Sequence, residues 1–502
     1  MTVDRRQKAE GGKHKAASKR QRREDRNAKV RMRPVALLAS ALLLWVFGQK
    51  VGPARPLEAR SDAQVTEGRA SPSPSAPAQQ KAGAPTGDDQ KHAESPMQME
   101  LAAPQPGTVI PLAKLVEEAE HNNPEILAAR HAWMASTQVR SQVSTLPDPQ
   151  VVMQQLNVGS PRPFAGFTNS DFAYIGFGIS QDLPYPGKLR LRGEMAERDA
   201  ASTRDHLESV RRTVLQQLKA AYFRLAYLEQ TLGVLERDGK LLEQIEKIAE
   251  SRYRVGQGNQ QDVLKAQLER TRLLREIAMH HQEMWSVQAQ LKQLLNRPSD
   301  AVDIATEPLT ETPLAYASDE LLARVRTSNP EISARYETVG RQGLEVELAH
   351  KDAYPDFNVQ YMWQHTGEPF RDYHMLTFGI RLPVYRSRRQ QPELAQATEE
   401  LSRSRREYEA SVQQTYFEVR DQFLAAQTSA QLLKIYREGL IPQATATFES
   451  GLAAYQSSKQ DFESLLASFL DVLKFDEEYW HTLADHETAL ARLEQLTGVP
   501  LR

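Results

Sequence analysis

Internal repetition constrains this chain more than any single motif does. His121-Asn122-Asn123-Pro124-Glu125-Ile126 recurs as Thr327-Ser328-Asn329-Pro330-Glu331-Ile332. Pro147-Asp148 recurs as Pro355-Asp356. Phe177-Gly178-Ile179, leading to Leu183-Pro184, recurs as Phe378-Gly379-Ile380, leading to Leu382-Pro383. Leu291-Lys292-Gln293-Leu294 with Pro298 recurs as Leu493-Glu494-Gln495-Leu496 with Pro500. The landmarks keep their order at a spacing of about 200 residues, far beyond a solenoid period, which predicts a tandem duplication. The units run over 109–305 and 306–502, and each reads as helix, strand, strand, then two long helices. The predicted fold is mainly α with a small β portion, a duplicated helix–strand–strand–helix frame.

The strands, expected at about 150–182 and 356–383, alternate with period two. Phe357, Val359, Tyr361 and Trp363 share one face, and Asn358, Gln360, Met362 and Gln364 the other. Leu376, Phe378, Ile380 and Leu382 oppose Met375, Thr377, Gly379 and Arg381, while Ile175, Phe177 and Ile179 oppose Tyr174, Gly176, Gly178 and Ser180. Val151–Val158 alternates more weakly. A soluble sandwich would show the same alternation with its apolar face inward. Lengths of about 9–11 residues and aromatics near the segment ends favour tilted strands in lipid. Four strands cannot close a barrel around water, and lipid tolerates no open sheet edge, so several chains must share one barrel.

The helices carry heptads. Leu218, Leu225 and Leu232 alternate with Ala221, Leu228 and Leu235; in the second unit Val412, Val419, Ala426 and Leu433 alternate with Tyr416, Phe423 and Ala430. Such spacing predicts coiled-coil packing. Rods of roughly 40–60 residues reach about 60–90 Å. A cytoskeletal scaffold would use the same rods, but it leaves the paired strands without a role.

Residues 1–33 are strongly basic, and the uninterrupted apolar run Val35–Phe47 follows, an order that export signals use. Met32 stands just before that run, so a signal starting there has ordinary proportions. A basic nucleic-acid or lipid-binding tail is the alternative for this segment. Residues 1–48 are read as the signal or anchor and 49–108, rich in Pro, Ala and Ser, as a disordered linker. Folded structure is expected from near Ile110.

The formal net charge of -2 gives no case for nucleic acid, and the absence of cysteine excludes a disulfide framework, a thiolate nucleophile and a zinc ribbon. No stretch after the first 50 residues is apolar enough for a membrane-spanning helix. No phosphate loop, Ser/His/Asp set or helical His-Glu-x-x-His is present, so no catalysis and no cofactor are expected. Met279-His280-His281 with Met284 is the one soft-metal candidate, but a solvated helix face explains it better and no metal site is assigned. His481 and His486 show no compelling partner.

Together these residues resemble the TolC-like outer-membrane efflux family over about 110–502. The carriers are the two Asn-Pro-Glu motifs, the Gly-Ile…Leu-Pro strand exits, Tyr185-Pro186-Gly187-Lys188 and the repeat-ending leucines. Tyr253-Arg254-Val255-Gly256 with Asp262-Val263-Leu264 is a further match, and its second copy is Phe448-Glu449-Ser450-Gly451 with Asp461-Phe462 and Leu465-Leu466. The resemblance implies a homotrimer whose twelve-stranded barrel in outer-membrane lipid continues as a long periplasmic α-helical barrel. It also implies a docked periplasmic adaptor and an inner-membrane transporter of the RND type. Its aperture would lie near the helix-hairpin tips, which makes Tyr253, Gly256, Asp262, Gly451 and Asp461 gate-proximal or adaptor-proximal. The second copy departs from the pattern: Phe448 stands where Tyr would, four extra residues separate Gly451 from Asp461, and Tyr455 is the candidate for the missing hydroxyl. A carboxylate ring around one axis repels anions, and ionic links to Arg or Lys would hold it shut. Asp262 and Asp461 also precede apolar helical runs, where helix N-caps sit.

The expected function is passive conduction through an outer-membrane channel. The other reading is a periplasm-spanning coiled-coil adaptor or scaffold anchored by Val35–Phe47. Tyr185-Pro186-Gly187-Lys188 looks similar to heavy-metal branches of the family, although metals, drugs and other small molecules all fit one wide duct.

Overall fold

The structure, a computed structural model, describes residues 107–157, 172–367 and 369–501. The basic segment, Met32, the apolar run and the linker up to residue 106 lie outside the described residues, as does Val158.

The element order is written twice. After β1 (Thr108–Val109) come α1 (Leu112–Asn122), α2 (Pro124–Ser144), β2 (Gln150–Leu156), β3 (Tyr174–Leu183), α3 (Lys188–Arg254) and α4 (Gln260–Leu294). After β4 (Ile304–Ala305) come α5 (Ser318–Ser328), α6 (Pro330–Lys351), β5 (Asp356–His365), β6 (Tyr373–Arg381) and α7 (Gln390–Ile435). A π-turn, Tyr436–Leu440, joins α7 to α8 (Ile441–Gln456), and α9 (Phe462–Thr497) closes the copy. The single entrance helix expected for each unit is thus two helices. Asn123 and Asn329 break it: extended at ψ 124 and 118, each caps the next helix by accepting from the second and third N–H groups beyond it. Pro124 and Pro330 occupy the first position, where the missing N–H costs nothing. Each asparagine also donates across the copy, Asn123 to Leu294 O at 2.9 Å and Asn329 to Leu496 O at 3.0 Å.

The heptad leucines of α3 are all buried, as are Val412, Val419, Ala426 and Leu433 of α7. Leu218, Leu225 and Leu232 match Val419, Ala426 and Leu433 in phase. Further along, Leu242, Glu246 and Ala249 match Ala444, Phe448 and Gly451. Ten residues separate Leu232 from Leu242, but eleven separate Leu433 from Ala444. The π-turn absorbs the extra residue, so the buried stripe keeps its phase on both sides. At 67 residues, α3 extends about 100 Å.

The strands form one antiparallel sheet in the order β2-β3-β5-β6, so the two repeats pair through β3 and β5. The register aligns Val151 and Met153 with Ile179 and Phe177, those with Tyr361 and Trp363, and Tyr361 with Leu376. One face is therefore apolar across four strands, and it is exposed: Val151 to 80% and Phe378 to 71%. The other face is polar and tight at its glycines. A Cβ on Gly178 would lie 2.5 Å from Tyr361 O, and one on Gly176 3.1 Å from Met362 Sδ. Among the described residues, outer strands β2 and β6 each pair on one side only.

Two short features were not expected. Strands β1 and β4 pair in parallel, Thr108 beside Ile304. Between β4 and α5 the chain forms a strap over the helices. Glu229 accepts from Thr306 N (3.1 Å) and Oγ1 (2.5 Å), Tyr222 Oη accepts from Glu307 N (2.9 Å), and Arg437 pairs with Glu311 (3.0 Å). Glu487 accepts from Thr312 N at 2.8 Å and Oγ1 at 3.0 Å.

Candidate functional site

The residues singled out at the tips gather where α3 turns into α4 and where α8 turns into α9. The two turns are built alike. Gly256 N donates to Tyr253 O and Gln257 N to Arg252 O, while Ser458 N donates to Tyr455 O and Lys459 N to Ala454 O. Gly256 and Ser458 both take positive φ, 72° and 62°. Tyr455 therefore matches Tyr253, and Ser458 matches Gly256. The pairing of Phe448…Gly451 with Tyr253…Gly256 is corrected. Gly451 lies in α8, well before its end and buried, where a Cβ would meet Gln460 Nε2 at 3.3 Å. The apparent four-residue excess vanishes with this alignment.

Arg252 joins the two tips. Its guanidinium donates to Tyr455 O, to Gln257 O (3.2 Å) and to Ser458 Oγ (3.0 Å), and it lies 4.3 Å from the centre of the Tyr455 ring. Tyr455 is 2% exposed, whereas Tyr253 is 47% exposed. Burial pushes the Tyr455 phenol above its ordinary range; Arg252 opposes this and the Asp262 carboxylate adds to it. The Tyr455 hydroxyl is buried without a hydrogen-bond partner among the described residues. A second link, Lys265 to Glu463 at 3.0 Å, ties α4 to α9. Arg252, which the sequence reading missed, is the connecting residue; a cation one position before Tyr253 was the available signal.

The two aspartates have different jobs. Asp461 caps α9, accepting from Ser464 N at 3.1 Å and Ser464 Oγ at 2.8 Å, and these bonds hold its carboxyl below the usual range. Asp262 is no cap: Asn259 occupies that position, and Asp262 lies in the first turn of α4. A negative side chain there still suits the helix N-terminus.

At the opposite ends of these helices, Tyr185-Pro186-Gly187-Lys188 links the repeats. Lys188, with its side chain 4% exposed, lies 2.9 Å from both Asp352 and Asp356, and Tyr185 N donates to Asp356 at 2.8 Å. Burial alone would lower the Lys188 pKa, but the two carboxylates outweigh it and hold it raised. Gly187, at φ 92°, permits the turn.

The other candidates also gain partners. His280 lies 3.7 Å from Glu477 and Met284 is buried, so these two face inward, whereas Met279 is 62% exposed. His481 pairs with Asp485 at 2.9 Å. His486 is buried between Ala426 O at 3.0 Å and Thr312 O at 2.8 Å.

Residues 115–297, spanning most of the first repeat, match the family model for outer membrane efflux proteins. The TolC-like resemblance holds. No curated relative matches the sequence. The fold is shared over nearly the whole described chain with three solved structures. For the outer-membrane channel OprN the identity is 16% and the TM-score 0.68, over 78% of this chain and 90% of that one. For CusC the values are 16% and 0.67, over 82% and 99%. For VceC of Vibrio cholerae they are 17% and 0.67, over 78% and 97%. The mainly helical architecture with a small sheet is thus that of the TolC-like channels, in both repeats.

Proposed function

We propose that this chain is the outer-membrane channel of a tripartite efflux system. The observation that carries the reading is the sheet: one face apolar and exposed across four strands, with an outer edge free on each side. Water penalises such a face and lipid penalises such edges. Three copies edge to edge would remove both problems, giving a twelve-stranded barrel continued by a twelve-helix tunnel. OprN is an outer-membrane channel, CusC undergoes transmembrane channel formation, and VceC is an outer membrane protein, and this chain shares their fold. In this reading the helices project into the periplasm towards an adaptor and an inner-membrane transporter, which supplies the energy. Substrates pass passively; metal ions, drugs and other small molecules are the candidates, and no catalytic step or cofactor is involved. Residues 1–48 serve export, 49–108 are a linker, and 109–305 and 306–502 are the two repeats.

The tips form the aperture in this reading. Arg252, Tyr455 and Ser458 hold the two hairpins of one protomer together, with Tyr253, Gly256, Asp262, Gly451 and Asp461 close to the opening or to the adaptor. The test is single-channel recording of the mature protein from residue 49 in a planar bilayer, beside Arg252→Ala and Asp262→Ala/Asp461→Ala variants. Trimeric protein with discrete openings, longer-lived in Arg252→Ala, supports channel and aperture together. Openings unchanged in every variant move the aperture elsewhere. A soluble monomer that never inserts sinks the channel and favours an adaptor or scaffold.

A further inference from the structure

The π-turn is the one break in the long helices that the first repeat does not share: α3 remains α-helical throughout its 67 residues. Three helix-weakening features coincide there. The i→i+5 bonding of Tyr436–Leu440 is the least favoured helical form. Gly439 lies within it, and nothing stands within 4 Å of where its Cβ would be. Pro442 follows, so the Glu438 carbonyl lacks its usual donor. No residue of the turn is buried. Cavities flank it on both sides. One of about 450 Å³ is lined by Val234, Arg237, Arg437, Ile441 and Trp480, and one of about 200 Å³ by Leu440, Gln443, Ser468 and Phe475. The α7–α8 rod is thus weak and loosely packed at one point.

Two side chains hold that point from opposite sides. Tyr436 Oη donates to Glu478 of α9 at 3.0 Å, and Arg437 pairs with Glu311 of the strap at 3.0 Å. We propose that the π-turn is a one-residue insertion that works as a hinge: α8 and its tip shift against the α3–α4 tip, and the strap sets the rest position through Glu311 and Arg437. Unbroken α9 follows by the gentle curvature long helices allow. At the far end the Arg252 contacts to Tyr455 and Ser458 restrain the movement. That such a shift opens a duct rests on the channel reading; the shift itself does not.

Because the chain has no cysteine, spin labels can be placed without background. Gln257→Cys with Lys459→Cys reports the distance between the tips, and Gln217→Cys with Gln413→Cys reports the rods before the turn. Distance distributions are read by electron–electron double resonance on purified full-length protein. Arg252→Ala is expected to broaden the tip distribution and leave the upstream pair unchanged. Deleting Gly439 in that background should leave the protein folded, since α3 buries the same stripe without a bulge, and should narrow the tip distribution again. Glu311→Ala in the Arg252→Ala background should shift the mean tip distance. The hinge is overturned if Arg252→Ala leaves the tip distribution unbroadened, or if deleting Gly439 leaves it broad. An unfolded deletion variant overturns the one-residue insertion. An unmoved mean in Glu311→Ala removes the strap from the device. Protein that shows all these shifts yet never conducts would sink the channel reading and leave the hinge.

Discussion

Replacing Asn123 by alanine removes three hydrogen bonds from one buried side chain, two at a helix start and one to Leu294 O. Asn329 makes the same set with Leu496 O as its distant partner. Each substitution is expected to cost about 1–2 kcal/mol, the range for losing a helix cap together with a buried partner. Serine retains the cap but not the reach to the leucine carbonyl, so Asn123→Ser should lose less than Asn123→Ala. Thermal melts of the three proteins check the ranking; Asn123→Ser melting at the native temperature would show that the bond to Leu294 O contributes nothing. The Asn-Pro-Glu pair was visible in the sequence as a repeated landmark, and although its cap is local chemistry, the helix break it makes was not read from it. Its second job was not visible, because Leu294 and Leu496 lie far along the chain and a carbonyl leaves no mark on residue type. The tips show the same limit. Ser458 adopts the conformation of Gly256 without being glycine, so Phe448…Gly451 looked like the better copy until the backbone bonds placed Tyr455 opposite Tyr253.

Sheet and strap make opposite demands on their residues. On the sheet, period-two alternation alone sorted Phe378 and Thr377 onto different faces, and the register agrees. If the apolar face meets lipid, Phe378→Arg should cost about 2–4 kcal/mol near the bilayer midplane, with far less for Thr377→Arg on the other face. Urea titration in detergent or lipid separates the two, and equal effects would remove lipid from that face. The heptads were equally legible, since every matched leucine of α3 is buried. The strap and the π-turn were not, because neither has a period: one is held by scattered carboxylates, the other is a single inserted residue. Glu229 gives the strap a pH signature. Burial raises its carboxyl above the ordinary 4.5, and the Thr306 bonds only partly offset this. The folded protein therefore binds this proton more tightly than the unfolded chain. Its contribution is fully present below pH 4.5 and is lost as pH rises through the folded value. Glu229→Gln keeps an acceptor for Thr306 and does not titrate, so the difference in stability between mutant and native protein should change over that window and be flat above it. A difference that is flat throughout would mean that the carboxylate is not desolvated.

At the scale of the molecule, the repeats are copies in sequence but are interlocked in space. Strand β3 of the first pairs with β5 of the second, Lys188 of the first is held by Asp352 and Asp356 of the second, and Lys219 pairs with Glu494. One hydrophobic core joins Leu115, Leu218 and Leu225 to Leu433, Leu483 and Ala491. A lone repeat would therefore expose half of a shared core and a two-stranded sheet, which is marginal by itself. The strap is the only covalent link between the copies, and it has its own hydrogen bonds on each side of the Leu309–Thr310 stretch, where Leu309 is buried in that core and Thr310 is exposed. Cutting the gene there separates Glu229, Thr306 and Tyr222 from Thr312, Glu487 and Arg437 while breaking none of those bonds. The two fragments are expected to copurify when coexpressed and to form the same oligomer as the intact chain, whereas either fragment alone should be lost to aggregation or proteolysis. Copurification through a tag on one fragment, followed by mass measurement, reads the result. Fragments that fold separately would show that each repeat is a domain, and that pairing of β3 with β5 follows folding. Coexpressed fragments that never meet would show that the covalent strap is needed to bring the copies into register.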